Sequence, residues 1–402
     1  MNSLFPSLLL YAHDPGGSVA LLACIPALQK AGYRLRIMAD GPAALKLTQA
    51  GFSVEPFETS LAVWSEQSVL TWLSAQGLDG VLTGTSANAY GEKWLWKAAE
   101  TLDIPSVAVL DQWLNYGIRF AKEGLIDLGG YQAEPKHVYL PSAVAVMDSL
   151  AKRELLMAVP ELRPEQVWVT GFAQAESKSG SGDGAESKLL SAQSAQSRTR
   201  GYGHPCVKLK SVWLSEPLKE SYGTVPPVGY TEFDALEAVL NELHAFGSGM
   251  TKPHEFAIKL HPKESADKYS ALLTKYSALP VHLRVLGPQV RADEVMAEAD
   301  VVWGMASMAL IEAALMDKPV ISVQPKLQGE DPLVLSRLGW LDTCVTHEAL
   351  VAACYSVFVD GNLTPYKGRF VLPWPREIGA TGRELVQHLQ QLIPLQEKET
   401  AL

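Results

Sequence analysis

Through the first 170 residues, short apolar runs alternate with longer amphipathic stretches. This is the pattern of a parallel sheet whose strands are covered by helices on both faces. Ser7–Ala12 is predicted as a buried strand, and the turn His13-Asp14-Pro15-Gly16-Gly17 follows it. A helix is predicted from Ser18, as its N-cap, to about Ala31. Leu35–Ala39 reads as a strand and Pro42–Ala50 as a helix closed by Gly51. Gly80–Thr83 and Ser106–Leu110 read as further strands around a helix through Glu92–Leu102, and Gln166–Thr170 closes this half.

The alternation stops between Gln174 and His204, where seven of the 21 residues from Ser177 to Ser197 are Ser. So polar a segment cannot bury enough surface to offset its ordering entropy, and it is predicted as a flexible linker or insertion. The alternating pattern resumes at Lys210. Strands are predicted at Ser211–Ser215, Glu255–Leu260, Leu283–Leu286, Asp300–Trp303 and Pro319–Gln324. Helices are predicted at Thr231–Ala245, Ala292–Ala299, Ser307–Met316, Asp331–Arg337, His347–Phe358 and Glu377–Leu392. The expected organisation is a first domain over 1–173, a linker over 174–205, a second domain over 206–375, and a C-terminal helix and tail over 376–402.

Composition narrows the classes of function. The 402 residues carry 34 Lys and Arg against 44 Asp and Glu, a formal charge of −10. That balance argues against a general binder of nucleic acid or anionic membrane. Cys24, Cys206, Cys344 and Cys354 form no CxxC pair, so neither a zinc site nor a disulfide framework is expected. No basic region precedes the N-terminal apolar stretch, and the run Val301–Met316 contains Glu312. The expected location is the cytoplasm, with peripheral membrane association left open. No metal or other cofactor is expected.

Candidate chemistry falls at strand ends, where ligands gather in open α/β sheets. In the first half, Gly16 and Gly17 allow close backbone approach, and either His13 or Asp14 could take a proton from a hydroxyl. Asp111, Trp113 and Tyr116 follow the strand Ser106–Leu110; the rings could stack on a sugar face while Asp111 holds a hydroxyl. In the second half, Lys259 and His261 at a strand end could meet a phosphate. Gly304 and Ser307 precede a helix whose amides favour anions. Glu312, in the same helix, could accept from ribose hydroxyls. Glu216, in the turn after Ser211–Ser215, has no evident role.

Taken together, the Gly-ended strand, the Ser-bearing helix start, Glu312-Ala313-Ala314 and Lys318-Pro319-Val320-Ile321 resemble the donor site of GT-B glycosyltransferases. Val167-Trp168-Val169-Thr170-Gly171 resembles the family's segment before the interdomain crossing, with Phe172-Ala173 in place of the usual Asn-Pro. The resemblance covers nearly the whole chain apart from Gln174–His204. It implies two Rossmann-like doubly wound domains facing a central cleft. The first would bind a glycan or other hydroxyl acceptor, the second a nucleotide-activated sugar donor. Lys259-Leu260-His261-Pro262 is similar to the His-Pro motif of bacterial capsule and teichoic-acid transferases, polysialyltransferases and CDP-glycerol glycerophosphotransferases among them. There the motif meets the phosphate of a cytidine nucleotide, and a later Ser assists, as His261 and Ser307 would here. The Asp/Glu-Asp/Glu-Gly motif of the sialyltransferases is not evident. Non-hydrolysing UDP-N-acetylglucosamine 2-epimerases share this fold and use a similar segment, so the donor is of CMP/CDP or UDP type. The expected activity is transfer of a sugar or phosphopolyol to a hydroxyl, in bacterial surface-glycan synthesis. The alternatives are a 2-epimerase-like enzyme or a GT-B-like binding protein without catalysis.

Overall fold

A computed structural model describes residues 5–122, 136–177, 208–249 and 253–395. The expected linker lies almost wholly outside the described residues. Two compact units emerge, and the chain returns to the first of them at Pro373.

The first unit is built on six parallel strands, β1 (Ser7–Ala12), β2 (Arg34–Ala39), β3 (Gly80–Thr83), β4 (Ser106–Val109), β5 (Ala143–Val146) and β6 (Val167–Val169). Their order is β2-β1-β3-β4-β5-β6. β1, β3, β4 and β5 are apolar runs with almost every position buried, as strands covered on both faces must be. The helices are α1 (Pro15–Ala31), α2 (Gly41–Gln49), α3 (Glu66–Ser74), α4 (Gly91–Thr101), α5 (Ser149–Ala158) and α6 (Ala173–Ser177). Because β2 lies on one side of β1 and β3 on the other, the connections leaving β1 and β3 diverge. A crevice therefore opens between their carboxyl ends.

The second unit has β7 (Leu209–Leu214), β8 (His254–Lys259), β9 (Val281–Leu286), β10 (Val301–Gly304) and β11 (Val320–Ser322), in the order β11-β10-β7-β8-β9. All are parallel. Its helices are α7 (Leu218–Tyr222), α8 (Glu232–Phe246), α9 (Ser270–Lys275), α10 (Ala292–Glu298), α11 (Met308–Leu315), α12 (Val334–Arg337) and α13 (His347–Cys354). Here the order reverses between β7 and β10. Thr231 N-caps α8 in a reciprocal capping box with Asp234, one turn before the apolar face Leu236, Val239, Leu240 and Leu243.

Three sequence expectations change. The first helix begins at Pro15, not Ser18. Proline tolerates the first helical position because its missing N–H has no partner there, so Asp14 becomes the flanking residue. β5 and α5, unassigned from sequence, occupy 143–158; a four-residue Ala-Val-Ala-Val run carries little periodic signal. Finally, the C-terminal helix α14 (Ala380–Leu392) completes the first unit. Its Leu385 and Leu389 join the core formed by Leu21, Cys24, Ile25 and Leu28 of α1.

Gly382 is the tightest point of that contact. A Cβ there would lie 2.8 Å from the Ala23 carbonyl oxygen and 3.0 Å from the Ala27 Cβ. Gly382→Val should therefore cost about 1–3 kcal/mol by overpacking, read as a lowered urea midpoint for the first unit. A midpoint unchanged from wild type would mean that α14 does not rest on α1 in this way.

Candidate functional site

In the first unit, the crevice between the exits of β1 and β3 collects a set of ionisable groups. A Cβ on Gly17 would lie 3.0 Å from the Gly84 Cα, so two chain segments meet there backbone to backbone. Asp14 has extended backbone at the start of α1, yet its side chain does not cap the helix. It turns instead to His13, with Nδ1 and Oδ1 3.0 Å apart. Burial pushes the Asp14 carboxyl up, but hydrogen bonds from His13 and Ser86 and the nearby charges of His13 and Arg119 hold it below its ordinary value. The hydrogen bond to Asp14 raises His13 against the opposing effect of burial, helped by the charge of Glu92. The two side chains are a third or more exposed. A ligand can reach them.

Two carboxylates lie deeper. Glu92, at the start of α4, is buried and accepts the His13 backbone N–H at 3.1 Å, while its Oε2 is buried without a hydrogen-bond partner. Burial, reinforced by the charge of Asp14, raises its pKa to about 7 against the backbone amides that favour ionisation. Asp111 is also buried, and Arg119 Nη1 stands 3.4 Å from its Oδ1. The same nitrogen donates to the Thr85 carbonyl at 2.7 Å, tying the exits of β4 and β3 together. Burial pushes Asp111 up, Arg119 opposes this, and Asp14 adds to it. A Cβ on Gly16 would fall 1.6 Å from Asp111 Oδ2. Gly16 thus makes room for this carboxylate, and Gly17 for Gly84.

In the second unit, three neighbouring strand exits converge: Ser215-Glu216 after β7, His261 after β8 and Met305-Ala306-Ser307 after β10. His261 is half-buried, and its Nδ1 accepts the Lys263 backbone N–H at 3.1 Å. The neutral imidazole therefore carries its proton on Nε2 and presents that N–H as a donor. Burial pushes His261 below its ordinary value, and the charges of Lys263, Lys259 and Lys268 add to this against the pull of Glu264. Glu264 in turn fixes the loop by accepting the His261 backbone N–H at 2.7 Å. At the start of α11, Glu216 Oε1 accepts the amides of Ala306 at 2.6 Å and Ser307 at 2.7 Å. Burial raises its pKa to about 7 despite these amides. Behind the loop, Ser322 Oγ donates to the Met305 carbonyl at 2.6 Å, and Gln324 joins Ser322, Tyr230 and Asp331 in a buried network.

No family model matches the sequence, and no curated protein is similar to it in sequence. Solved structures are similar in fold over nearly the full length. S. aureus MnaA, in a co-structure with UDP, has 14% identity and a TM-score of 0.59, with 98% of each chain covered. The Neisseria meningitidis UDP-GlcNAc 2-epimerase bound to UDP-GlcNAc has 14% identity and a TM-score of 0.61, covering 96% of this chain and all of that one (100%). Acinetobacter baumannii MurG has 14% identity and a TM-score of 0.52, covering 96% of this chain and 99% of that chain. The fold is that of the GT-B enzymes.

Within this GT-B fold, the structure brings His13, Asp14, Gly16, Gly17 and Asp111 together, and His261 with Gly304 and Ser307. It does not keep Trp113 and Tyr116 as a stacking platform. Trp113 is 2% exposed, its ring packs against Phe172 and Trp374, and its Nε1 donates to Asp148 Oδ2 at 3.0 Å. Tyr116 is buried with its hydroxyl on Glu154 at 2.8 Å. Both serve the interior, Trp113 under the chain that returns at Trp374 and Tyr116 through its bond to Glu154. Lys259 also differs: its amine is buried and donates to the Leu260 carbonyl. Gly304 is closely packed, since a Cβ would lie 3.1 Å from the Leu310 side chain and 3.3 Å from the Leu214 carbonyl. Glu312 is half-buried on α11.

Sequence reasoning missed Glu92, Ser86 and Arg119, and gave Glu216 no role. A Glu early in an amphipathic helix reads as a surface residue, and only the fold folds it under His13. Among the described residues, one trio of carboxylates, Glu220, Glu232 and Glu264, lies close enough to share a cation. Lys268 already forms an ion pair with each. No helix among the described residues is long and apolar enough to cross a membrane.

The state of Glu92 has a consequence for stability. Its folded pKa of about 7 lies above the ordinary 4.5, so the folded protein holds this proton more tightly than the unfolded chain. The resulting contribution, about 3 kcal/mol, is present at pH below 4.5 and is lost as pH rises through 7. Glu92→Gln keeps an acceptor for the His13 amide and removes the titration. Urea melts at pH 5 and pH 8 should show the variant gaining on wild type at the higher pH. An identical pH dependence in the two proteins would mean that Glu92 is ionised throughout.

Proposed function

We propose that the protein is a nucleotide-sugar-dependent GT-B transferase that moves a sugar or phosphopolyol from a nucleoside-diphosphate donor to a hydroxyl acceptor. The observation that carries the reading is the fixed tautomer of His261. With Nδ1 occupied by the Lys263 amide, Nε2–H is a neutral donor at the exit of β8, suited to a phosphate oxygen. Ser307 Oγ, buried and without a hydrogen-bond partner, lies at the start of α11 and supplies a second donor. Glu312, on the same helix, would accept from the ribose hydroxyls. UDP and UDP-GlcNAc, named with two of the structures of similar fold, favour a uridine donor over the cytidine type.

Chemistry is assigned to the first unit. For sugar transfer the acceptor oxygen attacks the sugar carbon bonded to the diphosphate, that C–O bond breaks, and the nucleoside diphosphate leaves with the bonding pair. For phosphopolyol transfer it attacks the phosphorus that bears the polyol, the P–O–P bond breaks, and the nucleoside monophosphate leaves with the pair. Asp14, ionised and hydrogen-bonded to His13, takes the acceptor's proton, and His13 orients it. Asp111 and Glu92 hold the loop that carries the pair. A place in bacterial surface-glycan synthesis and a cytoplasmic location follow from this donor chemistry as part of the proposal.

A 2-epimerase-like reaction is the second reading. The observation favouring it is the set of three carboxylates, Asp14, Asp111 and Glu92, whose pKa values are driven apart within one crevice. Such a set can remove a proton from carbon and return it to the other face.

A thermal-shift panel of UDP, CDP, CMP, GDP and ADP on wild type and His261→Ala tests the donor site, because ligands that bind only the native state raise its apparent stability. UDP should stabilise wild type and lose most of that effect in the variant. No shift with any nucleotide overturns the reading. Incubation with UDP-GlcNAc in D2O without acceptor then separates the two reactions. Deuterium entering the sugar at C2 means epimerisation, whereas transfer predicts none. With donor and acceptor supplied, His261→Ala should raise KM for the donor by more than tenfold, and Asp14→Asn should abolish turnover while nucleotide binding persists. Loss of nucleotide binding in Asp14→Asn would make Asp14 a structural residue.

A further inference from the structure

We propose that the Glu216 carboxylate competes with the diphosphate of the donor for the amides of Ala306 and Ser307, and must leave them for the nucleotide to bind. The inference rests on the nucleotide-sugar reading above and concerns the same site.

Three observations carry it. The first is position. Glu216 leaves β7 and the amides follow β10, the two strands between which the sheet order reverses; His261 leaves β8 on the other side of β7. An anion meeting His261 Nε2–H and the start of α11 has to lie where Glu216 now reaches. The second is an incomplete match. One oxygen of Glu216 takes both amides, yet the Ser307 hydroxyl beside them is buried and has no hydrogen-bond partner among the described residues. A phosphate, with more acceptor oxygens in a tetrahedral array, can serve the two amides and the hydroxyl together.

The third is the weak hold on Glu216 compared with its neighbours. Glu220, Glu232 and Glu264 are each locked by the Lys268 ammonium, and Glu264 also takes the His261 amide and the Ser215 hydroxyl. Among the described residues no cation forms an ion pair with Glu216. Its favourable partners are backbone amides, that of Met305 together with those of Ala306 and Ser307. The other groups facing it are unfavourable or neutral: the Glu264 carboxylate from the His261 loop, and the phenols of Tyr222 at the end of α7 and Tyr230 before α8. Its raised pKa reflects the same poor environment. The side chain sits on a short connection between β7 and α7, where rotation moves the carboxylate without disturbing a strand. Glu216 therefore mimics the ligand's charge at a seat it does not fill completely, and its departure both opens the seat and relieves repulsion from Glu264.

Calorimetric titration of UDP and of uridine into wild type, Glu216→Gln and Glu216→Ala decides the matter. Glu216→Ala should bind UDP at least tenfold more tightly than wild type, with uridine affinity unchanged because uridine has no phosphate. Glu216→Gln keeps the acceptor oxygen but not the charge, and should fall between the two; it serves alone if thermal melts show that the alanine variant is unfolded. A structure of the UDP complex should find Glu216 away from the Ala306 and Ser307 amides. UDP affinity equal to or below wild type in the folded variants overturns the proposal, as does a UDP complex in which Glu216 stays on the amides. If UDP binds wild type in a His261-dependent way, those results overturn the competition alone. If no nucleoside diphosphate binds wild type or either variant, the donor-site reading fails and this inference fails with it.

Discussion

A parallel strand must be followed by a crossover, and the direction of that crossover is the constraint on which both candidate sites depend. In each sheet the first strand has one neighbour reached by a connection to one side and another reached by a connection to the other. The exits of β1 and β3 in the first unit, and of β7 and β10 in the second, are thus left uncovered by their own helices. Everything polar in the two sites is attached to one of those exits or to the strand beside them. Contact between Gly17 and Gly84 lets the first crevice close at its base while staying open above. The network of Ser322, Gln324 and Tyr230 does the same beneath Met305 with hydrogen bonds in place of glycines.

Each crevice also brings a carboxylate from a neighbouring exit to the start of a helix. In the first unit Asp111 lies over Gly16 in the opening turn of α1, a helix with no acidic residue of its own there. In the second, Glu216 rests on the opening amides of α11. The difference lies in the counter-charge. Arg119 stands beside Asp111 and is itself anchored to Thr85, so that carboxylate is part of the framework. Among the described residues, Glu216 is held by amides and by no cation. A buried carboxylate without a cation is costly, and the cost is seen in the rise of its pKa to about 7. The two sheets therefore each bring a carboxylate to a helix start, one braced by a cation and the other held by amides.

Most of the fold was legible in the sequence because parallel strands are written as short apolar-rich runs between turn residues, and ten of the eleven were placed from that pattern, β2 and β9 despite Arg36 and Arg284 within them. β5 was not, since Ala143–Val146 is as short as a helix turn and its Ala-Val alternation carries no strong β signal. The positions of His13, Asp14, Asp111, His261 and Ser307 were legible for the same reason, as residues immediately after predicted strands. What sequence could not supply was which way each side chain turns. Trp113 and Tyr116 belong to the same loop after β4 as Asp111, but Trp374, more than two hundred residues later, covers Trp113, and Glu154 holds the Tyr116 hydroxyl. Lys259 looked like a phosphate ligand from its place beside His261, yet its amine is buried and folds back onto the Leu260 carbonyl.

Glu92 and Glu216 show where local reading ends. Both are glutamates at or near the start of a short helix, a place where an acidic residue ordinarily complements the helix dipole and needs no further account. Neither acts on its own helix alone. Glu92 reaches the backbone of His13, 79 positions earlier, and Glu216 reaches the amides of Ala306 and Ser307, 90 and 91 positions later. Contacts at such separations are set by strand order, and strand order cannot be read from the periodicity of any one segment. The residues that tune the two crevices are for that reason the ones whose partners the topology chooses, while the residues that line their mouths are those the strand ends announce.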